Sequence, residues 1–350
     1  MPGATPREYR GLTLRPIVMG MTIGEVAQLW RYPVKSLGGE QVERAEVGRR
    51  GVQGDRLWAV RDLQRDITAS ARRLPALLAA TARYPSQVPA DAGPGNVPDV
   101  EITFPDGTML YSSDRRVHAK LSELAGRDVR LTGLPPAEDT SLHRLRRDHQ
   151  TDALSSGSLR ADFGVPEGEQ LPDMSIVPMA DILTLGRYST PPGTFVDLAP
   201  VHVLTTTSLA TVGAEVGNEL DVRRFRPNLF VALDNPDDDL PESQWVGARV
   251  VLDEVTLTVS MPTVRCVVPS RAQPGLEVNR QITRAVAARA QRCLGVYCGV
   301  ERAGTVRVGD QLTVRAVASS RPRQMLNDAA RRTKRLAFGL AAVAADRLSR

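Results

Sequence analysis

Short runs of Val, Ile, Leu and Thr, closed by glycine or proline, recur along this chain and predict more strands than helices. Strands are expected over residues 23–30, 42–47, 57–61, 129–131, 229–233, 255–260, 295–301 and 311–317, and a β-hairpin over 100–104 and 108–111, joined by Pro105-Asp-Gly107. Longer periodic stretches predict helices over 74–82, entered through Pro75, over 117–124, ending at Gly126, and over 209–216 and 279–292. A buried strand ends in Thr205-Thr-Thr-Ser-Leu209, whose hydroxyls suit the N-cap of the third of these helices. Residues 304–310 read as a turn, and residues 132–175 as a polar, irregular stretch belonging to a linker or lid.

These elements sum to a β-rich α+β protein. The expected division is a flexible N-terminus over 1–20, a first β-barrel-like region over 21–131 and a polar linker or lid over 132–193. A second β-barrel domain follows over 194–318, then a basic helical tail over 319–350. Aromatic residues are 4% of the chain, so aliphatic side chains must build the core.

Charge changes the picture only at one end. The net charge is +5, yet residues 321–350 carry eight Lys and Arg against two Asp, so the body is close to neutral. A nucleic-acid reader carries its basic surface on the folded domain, so no nucleic-acid partner is expected. The apolar run 336–345 beside that charge is too short to span a bilayer, but it suits peripheral contact with an anionic membrane or an acidic redox partner. Three cysteines, Cys266, Cys293 and Cys298, fit no even disulfide framework and suggest a reducing cytoplasm.

The candidate chemistry centres on Arg265-Cys266, at the end of the 255–260 strand. A cysteine there is a soft metal ligand or a nucleophile, with a small packing residue as the plainer alternative. Cations and hydroxyls elsewhere could serve one anion. Lys35 and Ser36 sit in the turn after the first strand, and Arg56 opens another strand. Thr205, Thr206 and Ser208 flank a helix N-terminus, while Arg226 and Asn228 are held either side of Pro227. Guanidinium groups give bidentate phosphate contacts, and an amide can read a heterocycle edge.

Taken in order, several segments resemble MOSC-domain proteins. They are Tyr32-Pro-Val-Lys-Ser36, Gly54-Asp-Arg56, Phe195-Val-Asp-Leu-Ala-Pro-Val-His202, Thr205-Thr-Thr-Ser-Leu209, Arg224-Phe-Arg-Pro-Asn228, Arg265-Cys266 and Gly304-Thr-Val-Arg-Val-Gly-Asp310. Within that family the chain is similar to the mitochondrial amidoxime-reducing component and its bacterial counterparts. The resemblance implies a MOSC-type β-barrel preceded by a MOSC N-terminal β-barrel region. It implies a molybdenum cofactor, Mo-molybdopterin, whose metal takes Cys266 as its protein ligand. Lys35, Ser36, Arg56, Thr205, Thr206, Ser208, Arg226, Asn228 and Arg265 are then the cofactor-binding residues. The implied activity is reduction of small N-oxygenated substrates, with electrons from a separate donor protein, a ferredoxin or a reductase, since no ferredoxin extension is seen. The competing class is a non-redox carrier of cofactor or sulfur, with Cys266 as a persulfide. The segment Val267-Val-Pro-Ser-Arg-Ala-Gln-Pro-Gly275 departs from the Thr-Thr/Asp-Pro-x-Thr-Gly pattern of the mitochondrial proteins, which leaves substrate choice open.

Overall fold

A computed structural model describes residues 22–147, 149–150 and 155–316. The expected flexible N-terminus and basic tail therefore lie outside the described residues, as does the tail's docking role. The fold is β-rich α+β, and its centre is a closed barrel of seven strands. Around the ring run Thr22–Arg31, Leu229–Leu233, Val201–Thr205, Cys293–Arg302, Val255–Val264, Arg249–Leu252 and Gln311–Arg315, which returns to Thr22–Arg31. Closure comes from antiparallel pairing of Thr22–Arg31 with Leu229–Leu233, Leu29 lying opposite Leu229.

Alternation explains why these segments form staves. In Val255–Val264 every second residue from Val255 to Thr263 is buried, so Val255, Leu257, Val259 and Met261 face one core while polar neighbours face out. Val26, Leu29, Val203, Val231, Val250, Leu252, Val296, Cys298 and Leu312 complete the same aliphatic interior. One pair of staves, Val201–Thr205 and Leu229–Leu233, is parallel. Parallel neighbours need a crossover, and the helix Thr206–Val216 supplies it, ending at Gly217 with φ 77°.

The first strand thus closes a barrel built otherwise from the C-terminal half. The chain between staves one and two holds a second core. There Trp58–Asp62 pairs with Val129–Gly133, and Thr81–Arg83, Glu101–Thr103 and Met109–Tyr111 form a small sheet. The helix Arg116–Ala125 buries Val117 and Leu121 against them.

Three expectations need correcting. The helix expected over 74–82 is a short 3-10 turn, Pro75–Ala79, that gives way to the strand Thr81–Arg83. Gly304–Arg307 is a strand rather than a turn: it pairs with Arg44–Gly48, burying Val306 while Thr305 Oγ1 donates to Glu46. The polar stretch is also more regular than its composition suggests. It carries the helix Ser156–Phe163, capped by Ser155 Oγ accepting from Ser158 N, and the short helix Met179–Leu185. His143, fully buried, anchors the stretch by its hydrogen bond to Thr190 and its packing on Phe195.

Candidate functional site

Two loops bring the first cations together. Tyr32 N donates to Asp55 Oδ1 at 2.7 Å, Arg56 N to Tyr32 O at 2.7 Å and Lys35 N to Trp58 O at 2.8 Å. The turn after the first strand is thereby zipped to the 54–58 connection. Ser36, Arg56 and Arg226 all have left-handed backbones, with φ of 74°, 53° and 56°. Non-glycine residues adopt that region at a cost, and such strain concentrates where side chains must be aimed.

The ring of Tyr32 carries two guanidinium groups, Arg226 at 4.3 Å and Arg56 at 4.9 Å from its centroid. The quadrupole of a buried ring holds cations without neutralising them. Arg226 Nη1 donates to Leu37 O at 2.6 Å, while its Nη2 is buried with no partner. Burial, aided by repulsion from Arg56, lowers the Arg226 pKa to about 10. Arg265 donates through Nη2 to Phe225 O at 2.7 Å and leaves its Nε buried and unpartnered. Lys35 Nζ donates to Phe195 O at 3.1 Å and is ion-paired with Asp197.

Asp197 is the shared neighbour of this set. Burial in a crowded cleft would raise its pKa, but Lys35, Arg72 and Arg56 overcome that and hold it well below the usual carboxylate range. Its charge also reaches Arg226 and Arg265. Even so, 61% of its side chain is exposed, so the cleft is walled by protein yet open to solvent. Of the five cations Lys35, Arg56, Arg72, Arg226 and Arg265, Lys35 is paired with Asp197, Arg56 with Asp55 and Arg72 with Asp162, while Arg226 and Arg265 have no carboxylate partner among the described residues.

His202 lies beneath them as a neutral imidazole. Burial first, then Arg265, lowers its pKa well below that of a free histidine. Its Nδ1 faces Arg226 O and its Nε2 faces Arg265 Nη1, each at 3.4 Å. With a guanidinium donating to Nε2, the proton belongs on Nδ1. A Cβ at residue 295 would stand 2.3 Å from Nε2, so this crossing requires Gly295.

The three cysteines differ in kind. Burial pushes the Cys293 thiol up to about 12 and raises that of Cys298 as well, which leaves both as packing groups. Cys266 is half-buried beside Ala71, Leu78 and Val268. It borders a small hollow lined also by Arg265, Pro269, Ile282, Thr283, Val286 and Arg292.

Not every predicted residue joins this cleft. Thr205 Oγ1 and Ser208 Oγ both donate to the buried Glu242 Oε2, at 2.7 and 2.5 Å. Thr206 is half-buried at the start of the helix. Asn228 is a barrel staple: Oδ1 accepts from His202 N at 3.1 Å and Nδ2 donates to Trp30 O at 3.3 Å. Ser36 Oγ accepts from Ala71 N at 2.9 Å and ties its turn to the segment that carries Arg72. Lys35, Arg56, Arg226, Arg265 and Cys266 are brought into one neighbourhood. Asp197, Tyr32, His202 and Arg72 were missed as site residues. The first three lie inside quoted motifs and carried a signal; Arg72, in Ala71-Arg-Arg-Leu74, had none.

The donor set suits a large anionic group. Two buried guanidinium nitrogens without partners and a surplus of cations favour a phosphate-bearing ligand. Among the described residues no cluster of three or more His, Cys, Asp and Glu could hold a metal, and Cys266 is a soft donor next to Arg265. A family model for the MOSC domain matches residues 191–313, and one for the MOSC N-terminal beta barrel domain matches residues 23–128. The chain belongs to the MOSC-domain proteins. This MOSC protein is similar to mitochondrial amidoxime reducing component 2 of Bos taurus, 22% identical over 308 residues, which cover 82% of each chain. Solved structures that align with it include the YUAD protein from Bacillus subtilis, with a TM-score of 0.39, 13% identity and coverage of 85% of this chain and 98% of that one. Another is YiiM from Geobacillus stearothermophilus, with a TM-score of 0.30, 15% identity and coverage of 41% and 78%. No helix among the described residues is long and apolar enough to cross a membrane.

Proposed function

We propose that this MOSC protein binds a pterin molybdenum cofactor in the cleft and reduces small N-oxygenated substrates with electrons from a separate donor protein. The observation that carries this reading is the pair of unpartnered buried guanidinium nitrogens, Arg226 Nη2 and Arg265 Nε, in a cation-rich cleft beside half-buried Cys266. The MOSC match and the amidoxime-reducing relative support it.

In this scheme Lys35, Arg56 and Arg226 hold the cofactor's phosphate end, and Cys266 supplies the protein's sulfur to the metal. Tyr32 fixes Arg56 and Arg226 before the ligand arrives, so little ordering is left to be done on binding. Neutral His202 orients Arg265 without adding a further positive charge. Asp197 stays ionised and offsets part of the cation surplus. When bound, the cofactor supplies the two-electron chemistry that releases the substrate's oxygen as water.

The test is direct. Protein expressed in a host that makes the cofactor should contain molybdenum and reduce an amidoxime with an artificial reductant. Cys266→Ser should abolish that turnover while stability changes by about 1 kcal/mol or less, since one half-buried sulfur is replaced. Full turnover in the variant would sink the assignment. Metal-free protein carrying a labile sulfane sulfur would favour the carrier reading instead.

A further inference from the structure

The segment 222–228 sends its arginines in different directions. Arg226 reaches into the cation cleft, whereas Arg224 reaches the loop that follows Cys266. Arg224 is 7% exposed, and its hydrogen bonds go to main-chain carbonyls. Nη1 donates to Pro269 O and to Arg271 O, both at 3.1 Å, and Nη2 donates to Glu277 O at 2.7 Å. The neighbouring carboxylate, Asp221, is engaged by Arg223 at 2.7 Å.

Burying a guanidinium on carbonyls alone is costly, so something should require it. The loop itself provides the reason. Ala272, Pro274, Gly275, Glu277 and Val278 are exposed, so apolar packing does not fix its path. At its base, Ser270 O accepts from Asn279 N and Ser270 Oγ from Thr283 N. The Gln273–Leu276 turn closes on itself. Between base and turn, Arg224 reaches across and gathers carbonyls from both arms, while Arg223 Nη1 adds one longer contact to Pro274 O at 3.4 Å. A planar fork can satisfy three acceptors spread over nine residues, 269–277; an ammonium cannot match that geometry.

We propose that Arg224 is a positioning residue that holds loop 269–277 against the cleft and so sets the access to Cys266. This rests on the reading of Cys266 as the functional thiol, but its test needs no cofactor. Cofactor-free parent, Arg224→Lys and Arg224→Gln are treated with iodoacetamide, and each cysteine is followed separately by peptide mass. Both variants should label Cys266 faster, by about tenfold, the size expected for losing one charged hydrogen bond. Cys298, buried in the barrel core, serves as the internal reporter of global opening and should label at the parental rate. Amide exchange should quicken in 267–279 and stay unchanged in Thr206–Val216. An unchanged Cys266 rate would overturn the proposal, and so would an equal rise at Cys298. Absence of molybdenum from the native protein would count against the redox reading and leave this result standing.

Discussion

Two polar regions of the molecule invite the same reading from sequence and have opposite structures. The hydroxyls of Thr205 and Ser208 stand at a helix N-terminus, a place suited to phosphate, and the cations Lys35, Arg56 and Arg226 suit phosphate equally well. At the helix, the chain supplies the anion itself: Glu242, 2% exposed, accepts from both hydroxyls. In the cleft it does not supply enough: Asp197, Asp55 and Asp162 pair with Lys35, Arg56 and Arg72, and Arg226 and Arg265 keep buried nitrogens without partners. What separates a binding site from a structural knot is the balance of charge within the fold, not the residue types that build it.

The largest expected effect breaks that symmetry. Arg226→Ala should lower cofactor occupancy at least about tenfold, because charge-assisted hydrogen bonds to phosphate are among the strong ones. Its apo form should be no less stable than the parent, since the substitution removes a buried cation repelled by Arg56. Pterin fluorescence after denaturation reads occupancy, and urea titration reads stability. Normal occupancy in this variant would return the cleft to the status of an ordinary ion cluster.

The second region should respond the other way round. Glu242→Ala leaves two buried hydroxyls without their acceptor and should cost about 2–3 kcal/mol, with cofactor occupancy unchanged. Glu242→Gln keeps an acceptor for both and should stay within about 1 kcal/mol of the parent. Loss of cofactor from folded Glu242→Gln would show that the helix N-terminus belongs to the binding site after all.

Much of the fold was legible because strands announce themselves by local alternation. The staves Leu229–Leu233 and Val255–Val264 follow from their own residues. That Thr22–Arg31 closes the barrel could not be seen, since its partner lies some two hundred residues away and pairing leaves no local mark. The cleft was legible where residue type and backbone signal coincide, as at Lys35, Arg56 and Arg226. Asp197 was passed over because no cation lies near it in the sequence, and only the fold brings Lys35 to it. Thr205 and Ser208 misled because the residue that claims them, Glu242, is far along the chain in the polar stretch Pro241–Trp245.

The smallest expected effect sharpens the comparison through pH, because the two regions titrate with opposite sign. His202 has a folded pKa well below the unfolded value of about 6.5. Below that value the unfolded chain takes a proton that the fold refuses, so stability is lost as pH falls, by up to about 1.4 kcal/mol per pH unit for one proton. Glu242, its folded pKa raised by burial, behaves in reverse. Its contribution is complete below the unfolded value of about 4.3 and is lost as pH rises through the folded value, so acidification from neutrality stabilises the fold at this group. Urea titrations from pH 7 to pH 5 should therefore show a shallower acid loss in His202→Gln and a steeper one in Glu242→Gln than in the parent. Identical slopes in the two variants would mean that neither group is held as the structure places it.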